Sequence, residues 1–171
     1  MNKQTVIAAL MAFARQRSGI EFCNYGDVSA FRSEQRSIKR DLQHVRVLVS
    51  AVQWRDSITG DMIAEACKHA FSGRLSLIER ADGKIAVDYC SGQYFPTEYR
   101  KAVCAVLASV LWDTWRENMP APSGKITKTS GFGPFAHESE HDSINGMTPG
   151  DYLRATARKE FGRGIASRWF N

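Results

Sequence analysis

Residues 28–52 read VSAFRSEQRSIKRDLQHVRVLVSAV, and the spacing within them decides the fold. Val28, Phe31, Gln35, Ile38, Leu42, Val45, Val49 and Val52 succeed one another at intervals of three and four, which keeps one stripe of a helix turned toward a neighbour. Asp27, immediately before, suits the N-cap. On the helical wheel Arg32, Lys39 and Arg46 lie directly beside that seam, with Arg36 and Arg40 next around, while Glu34 and Asp41 fall on the far side. None of the five cations has an acid three or four positions away, and Arg32, Arg36 and Arg40 follow at i, i+4, where like charges repel by a few tenths of a kcal/mol per pair. The seam is structural, and the sorted charge points to an anion from outside the helix.

Two readings of that sector compete. Cations flanking a packed seam often lay their aliphatic stems across it and send the charge to water, and acids elsewhere, such as Asp61, Glu65 or Asp113, are candidates to answer them. Alternatively, a rod about 35 Å long with arginines one turn apart can meet successive nucleic-acid phosphates. Arg154, Arg158, Lys159, Arg163 and Arg168 form a second basic surface near the C-terminus, partly neutralised by Asp151 and Glu160.

Working outward, 171 residues suit one domain, 1–171, large enough to bury most of its apolar surface without disulfide or metal. The net charge is +5, carried by 15 Arg against 8 Lys, which favours bidentate contacts with phosphate or carboxylate. Residues 1–56 hold nine cations and five acids and residues 148–171 five and two, so both ends are basic. A first helix is expected over about Asn2–Gln16, with Ile20–Gly26 as an extended connection. Thr59 caps a third helix that stops at Ser72 and Gly73. Arg74–Arg80 and Ile85–Cys90 flank Asp82-Gly83 and form a β-hairpin. A helix capped by Thr97 runs to about Glu117, and its apolar stretch Ala102–Trp112 is the expected core. Seven Gly and Pro residues make 119–147 a long loop, and a last helix opens at Thr148-Pro149-Gly150-Asp151 and continues to the C-terminus. The fold class is mainly α (α+β): about five helices around a central apolar helix, with one hairpin.

Catalytic signatures are sparse. His137-Glu138-Ser139-Glu140-His141 has the HExxH spacing of zinc peptidases, in which two histidines one helical turn apart face a metal and the glutamate takes a proton from bound water. Gly131, Gly133, Pro134 and Gly146 surround it, and Glu140 sits where that motif is uncharged, so a solvated polar loop is expected and zinc-dependent hydrolysis by His137, Glu138 and His141 stands as an alternative. Cys23, Cys67, Cys90 and Cys104 lack ligand spacing and read as reduced, mostly buried thiols, Cys90 included. Glu79, Asp82 and Asp88 share a hairpin without the rest of a nuclease signature. No cofactor or metal is expected. Tyr94, Phe95, Phe132 and Phe135 are expected to cover the ends of the core helix rather than to stand exposed for stacking, and Trp169-Phe170 either folds back or meets a partner. The longest apolar run is too short for a bilayer, and the apolar run Val6–Ala14 is followed by Arg15 and Arg17 without a small-residue cleavage site. No membrane association and a cytoplasmic location are expected.

Three blocks, Asn24-Tyr25-Gly26-Asp27 with Phe31-Arg32-Ser33-Glu34, Gly92 to Arg100, and Gly150-Asp151-Tyr152-Leu153 with Arg168-Trp169-Phe170, together resemble small accessory proteins of bacteriophages and other mobile elements. The resemblance implies a role in managing phage nucleic acid or in blocking a host-defence complex by binding it. The expected function is therefore non-enzymatic binding of nucleic acid or a nucleoprotein through Arg32, Arg36, Lys39, Arg40 and Arg46, with Arg154 and Arg158 as further anion contacts. An anti-defence inhibitor that binds a host protein is the alternative.

Overall fold

A computed structural model describes residues 1–16, 28–90 and 96–171. The class is α+β: six helices and two separate antiparallel hairpins among these residues. The elements are α1 (Lys3–Gln16), α2 (Val28–Gln53), α3 (Gly60–His69), β1 (Leu75–Glu79), β2 (Ile85–Tyr89), α4 (Pro96–Glu117), β3 (Gly124–Ser130), β4 (His137–Ser143), α5 (Pro149–Phe161) and α6 (Arg163–Trp169). They form two compact units, Met1–Leu111 and Trp112–Asn171, with the division falling inside α4.

In the first unit the expected seam of α2 forms, centred on Ile38, Val45, Leu48, Val49 and Val52, all buried. Burying each such side chain stabilises by about 1.5–3 kcal/mol. The buried stripe is rotated from the expected one: Gln35 is exposed and Leu42 half-buried, while Leu48, outside the expected set, is fully buried. The rotation also takes in Asp41, which is 1% exposed. The far side of the helix from the cations is thus its packed side. Asp27 and the connection Ile20–Gly26 lie outside the described residues.

α1 buries Val6, Ile7, Leu10 and Ala14 and packs on α2, α3 and β2. Thr59 caps α3 as expected, its Oγ1 accepting from the Met62 N–H at 3.2 Å. Gly60 opens α3 where α1 begins, and a Cβ there would stand 2.5 Å from the Met1 carbonyl oxygen and 2.9 Å from the Lys3 nitrogen. The backbones are that close. β1 and β2 pair in the register Leu75↔Tyr89 to Glu79↔Ile85. Arg80 and Lys84 extend the ladder, so Ala81-Asp82-Gly83 is a three-residue loop with glycine at positive φ. Phe13, Tyr89 and Tyr99 join α1, β2 and α4 through ring centroids 4.8–6.1 Å apart. Ala102, Val103, Cys104, Val106, Leu107, Ala108, Val110 and Leu111 of α4 are buried, as the core reading requires. The helix starts at Pro96, one residue before the expected cap Thr97, because the fixed φ of proline suits a first helical turn.

The second unit contains the largest departure from expectation. Residues 119–147 are not a loop. Gly124–Ser130 and His137–Ser143 form a seven-pair antiparallel ladder, from Gly124↔Ser143 to Ser130↔His137. The reversal is built on Gly131, whose φ is +97°, and a Cβ there would lie 2.3 Å from the Phe135 oxygen, so the turn requires glycine. A short 3₁₀ turn over Gly133–Phe135 completes it. Thr148 Oγ1 accepts from the Asp151 N–H at 3.3 Å and donates to Asp151 Oδ2 at 2.8 Å, which fixes the start of α5. The expected continuous last helix is broken at Gly162 (φ +80°), giving α5 and α6. Beneath them Trp112, Trp115, Phe161 and Phe170 pack with centroids 5.2–6.2 Å apart. Phe170, 2% exposed, therefore folds back into its own unit. No helix among the described residues is long and apolar enough to cross a membrane.

Candidate nucleic-acid interface

Arg32, Arg36, Lys39, Arg40 and Arg46 are all exposed, on the flank of α2 that the buried seam leaves to solvent. The acids that might have answered them are engaged elsewhere. Asp61 accepts from the Met1 amino group at 2.8 Å. Glu65 holds Lys68 at 2.9 Å and His69 at 3.0 Å, contacts that lower its carboxyl pKa, the Lys68 bond most of all. Asp113 stands 4.0 Å from Arg116 on the same helix. Among the described residues no ion pair includes any of the five α2 cations. By contrast Lys68, Lys84, Lys125, Lys128, Arg116 and Arg154 each have a carboxylate within reach.

The helix holds this sector in place through the opposite face. Because Val45, Leu48 and Val52 are fully buried, rotation of α2 about its axis would expose apolar surface, so the cations are presented in fixed phase. Arg32, Arg36 and Arg40 are about 6 Å apart along the axis at 1.5 Å per residue. The array offers five Lys or Arg heads with no buried desolvated member, which suits phosphate contacts and gives no handle for acid–base chemistry.

Arg154 and Arg158 belong to the second unit and lie one turn apart on α5. Arg154 is committed to structure, its Nη1 donating to Asp151 Oδ1 at 3.1 Å. Asp151 also accepts from Lys128 Nζ of β3. That bond first, then the Thr148 hydroxyl and Arg154, depresses the Asp151 carboxyl to about 2. Arg158 is exposed. Arg154 thus takes part in the clasp on the α5 cap.

The HESEH segment forms no zinc-peptidase helix. His137 and His141 lie on the same face of β4, about 13 Å apart at 3.3 Å per residue, too far to share one ion. Ser130 Oγ lies 2.8 Å from His137 Nε2, and Ser139 Oγ 2.7 Å from His141 Nε2. Among the described residues no three His, Cys, Asp or Glu side chains gather where they could hold a metal ion. The other face of the hairpin carries Glu138, Glu140 and Asp142 with Lys125, Thr127 and Thr129, all exposed, and Lys125 pairs with Asp142 at 2.9 Å.

Cys90 is exposed rather than buried: its N–H still donates to the Arg74 carbonyl at 2.8 Å, and strand alternation turns it to the face opposite buried Tyr89. Cys67 and Cys104 are buried as expected, and burial pushes the Cys67 thiol up to about 12. Cys23, Tyr94 and Phe95 lie outside the described residues. Phe132 and Phe135 do not cover a helix end: they are 92% and 84% exposed at the hairpin tip. A surface cavity of 260 Å³ between α3 and α4 is lined by Ala66, His69, Ala70, Ala105 and Ser109, with His69 the one ionisable group among the described residues that line it.

Comparison with protein-family models, curated proteins and solved structures finds no match for the chain.

Proposed function

We propose that the chain is a non-enzymatic nucleic-acid-binding protein of the phage accessory type, with the exposed flank of α2 as its phosphate-contacting surface. The observation that supports this reading is the exposed, sign-sorted array of Arg32, Arg36, Lys39, Arg40 and Arg46, unanswered by any carboxylate among the described residues. Five such cations on one rod repel one another, and neutralising them with phosphates releases condensed counterions. Sequence-independent contact through the backbone follows from the residue types, since arginine and lysine heads on a convex helix meet phosphates before base edges. The test is titration of a labelled mixed-sequence oligonucleotide at about 50 mM salt, where non-specific binding of this kind is strong. Absence of binding there rules the reading out.

A second reading, inhibition of a host-defence complex by protein binding, is supported by a different surface. Phe132 and Phe135 stand nearly bare, 92% and 84% exposed, at the tip of the β3–β4 hairpin. Aromatic pairs on a defined turn are the kind of anchor that fills a pocket on a partner. Replacing both with serine separates the readings: oligonucleotide affinity stays unchanged, and capture of a host complex is lost if the second reading holds.

A further inference from the structure

The cationic flank of α2 ends on a large exposed aromatic. Trp54 is 79% exposed, and its N–H still reaches the Ser50 carbonyl at 3.3 Å, so the chain keeps to the helical path one residue beyond Gln53. Trp54 follows Arg36 by 18 residues, five whole turns, and so lies on the same side of the rod about 27 Å away. The exposed residues between them on that side include Gln43, Arg46 and Ser50 and no carboxylate, since Asp41 is turned into the core. One surface therefore carries positive charge along its length and a bare indole at its end.

We infer that this surface binds single-stranded nucleic acid, with phosphates along Arg36, Lys39, Arg40 and Arg46 and an unpaired base stacked on Trp54. The inference rests on the phosphate-binding reading above and adds which form of nucleic acid the strip selects. Inside a duplex each base is already stacked on its neighbours, and an indole presented from the side finds only sugar and phosphate. A single strand offers the face of every base, whatever the sequence, and aromatic stacking combined with a basic track is how sequence-tolerant single-strand binding is achieved. The strip has both parts, with charge for the backbone and a π face for the base.

The test uses fluorescence anisotropy of a labelled 20-nucleotide mixed-sequence DNA strand and of its blunt duplex, with the full chain at about 50 mM salt. Four proteins are compared: wild type, Trp54→Ala, Trp54→Phe and the double variant Arg36→Glu/Arg40→Glu. Trp54 buries little, so circular dichroism and melting temperature serve as controls that the fold is kept. The expected result is tighter binding of the strand than of the duplex by wild type. Trp54→Ala loses roughly tenfold or more on the strand and little on the duplex, and Trp54→Phe recovers most of the loss. The salt dependence falls in the arginine variant and stays unchanged in Trp54→Ala. If Trp54→Ala binds the strand as wild type does while Arg36→Glu/Arg40→Glu loses affinity, the stacking role is overturned and phosphate binding survives. If no protein binds either probe, phosphate binding itself has failed and the inference falls with it. Labelled poly-glutamate bound as tightly as the strand assigns the surface to an acidic protein partner and also overturns the inference.

Discussion

The exposed flank of α2 and the β3–β4 hairpin are both solvent-facing, but they are held in place by different means. The α2 flank is the outer side of a helix whose inner side is locked by fully buried Val45, Leu48 and Val52. Its charges can change without touching the packing. The hairpin has almost no apolar inner side, with Ile126 and Ser139 half-buried and Ser143 buried. It is held by its hydrogen-bonded ladder, by the turn at Gly131, and by Lys128 bonding Asp151 at the head of α5. The contrast teaches that exposure has separate origins. On α2 it is what a packed seam leaves over, whereas the hairpin is largely polar on both faces and clasped to the head of α5 by Lys128 and Asp151.

The comparison is broken most forcefully at the charges. On the proposed phosphate-binding reading, Arg36→Glu with Arg40→Glu should lower oligonucleotide affinity by roughly a hundredfold, because two cations that would meet phosphates become repulsive, while thermal stability stays within about 0.5 kcal/mol of wild type. Reversing Glu138 and Glu140 to lysine should not lower affinity. A protein in which the arginine variant unfolds refutes the separation of seam from flank, and calorimetry alongside the titration reads both.

Packing is the next largest effect. Gly60→Ala drives a methyl group into the backbone of Met1 and Lys3 and should destabilise the first unit by about 2 kcal/mol, as overpacking does. The double variant Phe132→Ser/Phe135→Ser at the hairpin tip should change stability by less than about 0.5 kcal/mol, since both rings are already in water. Denaturant titration of the two proteins tests the contrast, and equal losses contradict it.

The smallest effect is the clasp. Asp151 titrates near 2 in the folded protein, below its ordinary carboxylate range, so its contribution is present above about pH 4 and is lost as pH falls from there toward 2. Its side chain is 35% exposed, so solvent screening reduces the contribution to about 1 kcal/mol. Asp151→Asn should cost that much at pH 7, and the difference from wild type should shrink between pH 4.5 and 3. A difference that grows on acidification reverses the sign and removes the clasp from the account.

The same contrast explains what was legible in the sequence. α2, the Thr59 cap, the β1–β2 hairpin and the buried run of α4 were readable because each writes its structure in apolar spacing or turn chemistry. Even there the phase is offset: the three-four spacing puts Gln35 in the seam and Leu48 outside it, because a 25-residue period followed from one end accumulates angular error, whereas Gln35 is exposed and Leu48 buried. The β3–β4 hairpin was illegible. GKITKTS and HESEHDS contain one large apolar residue between them, so no alternation of period two exists to find, and the glycines that shape the turn read equally well as loop. The same sparseness makes HESEH read as a solvated polar loop, whereas its residues form strand β4. Trp54 was within reach, since its phase relative to Arg36 is arithmetic, but its exposure depends on where the fold ends its packing.

The most direct measurement of the central claim is the salt dependence of oligonucleotide binding by wild type and by Arg36→Glu/Arg40→Glu. With about −0.7 per phosphate neutralised on a single strand, wild type is expected to show a log–log slope of roughly −3, and the variant a slope shallower by at least about 1. A wild-type slope near zero, or one that the two substitutions leave unchanged, contradicts the assignment of the α2 flank as the nucleic-acid surface.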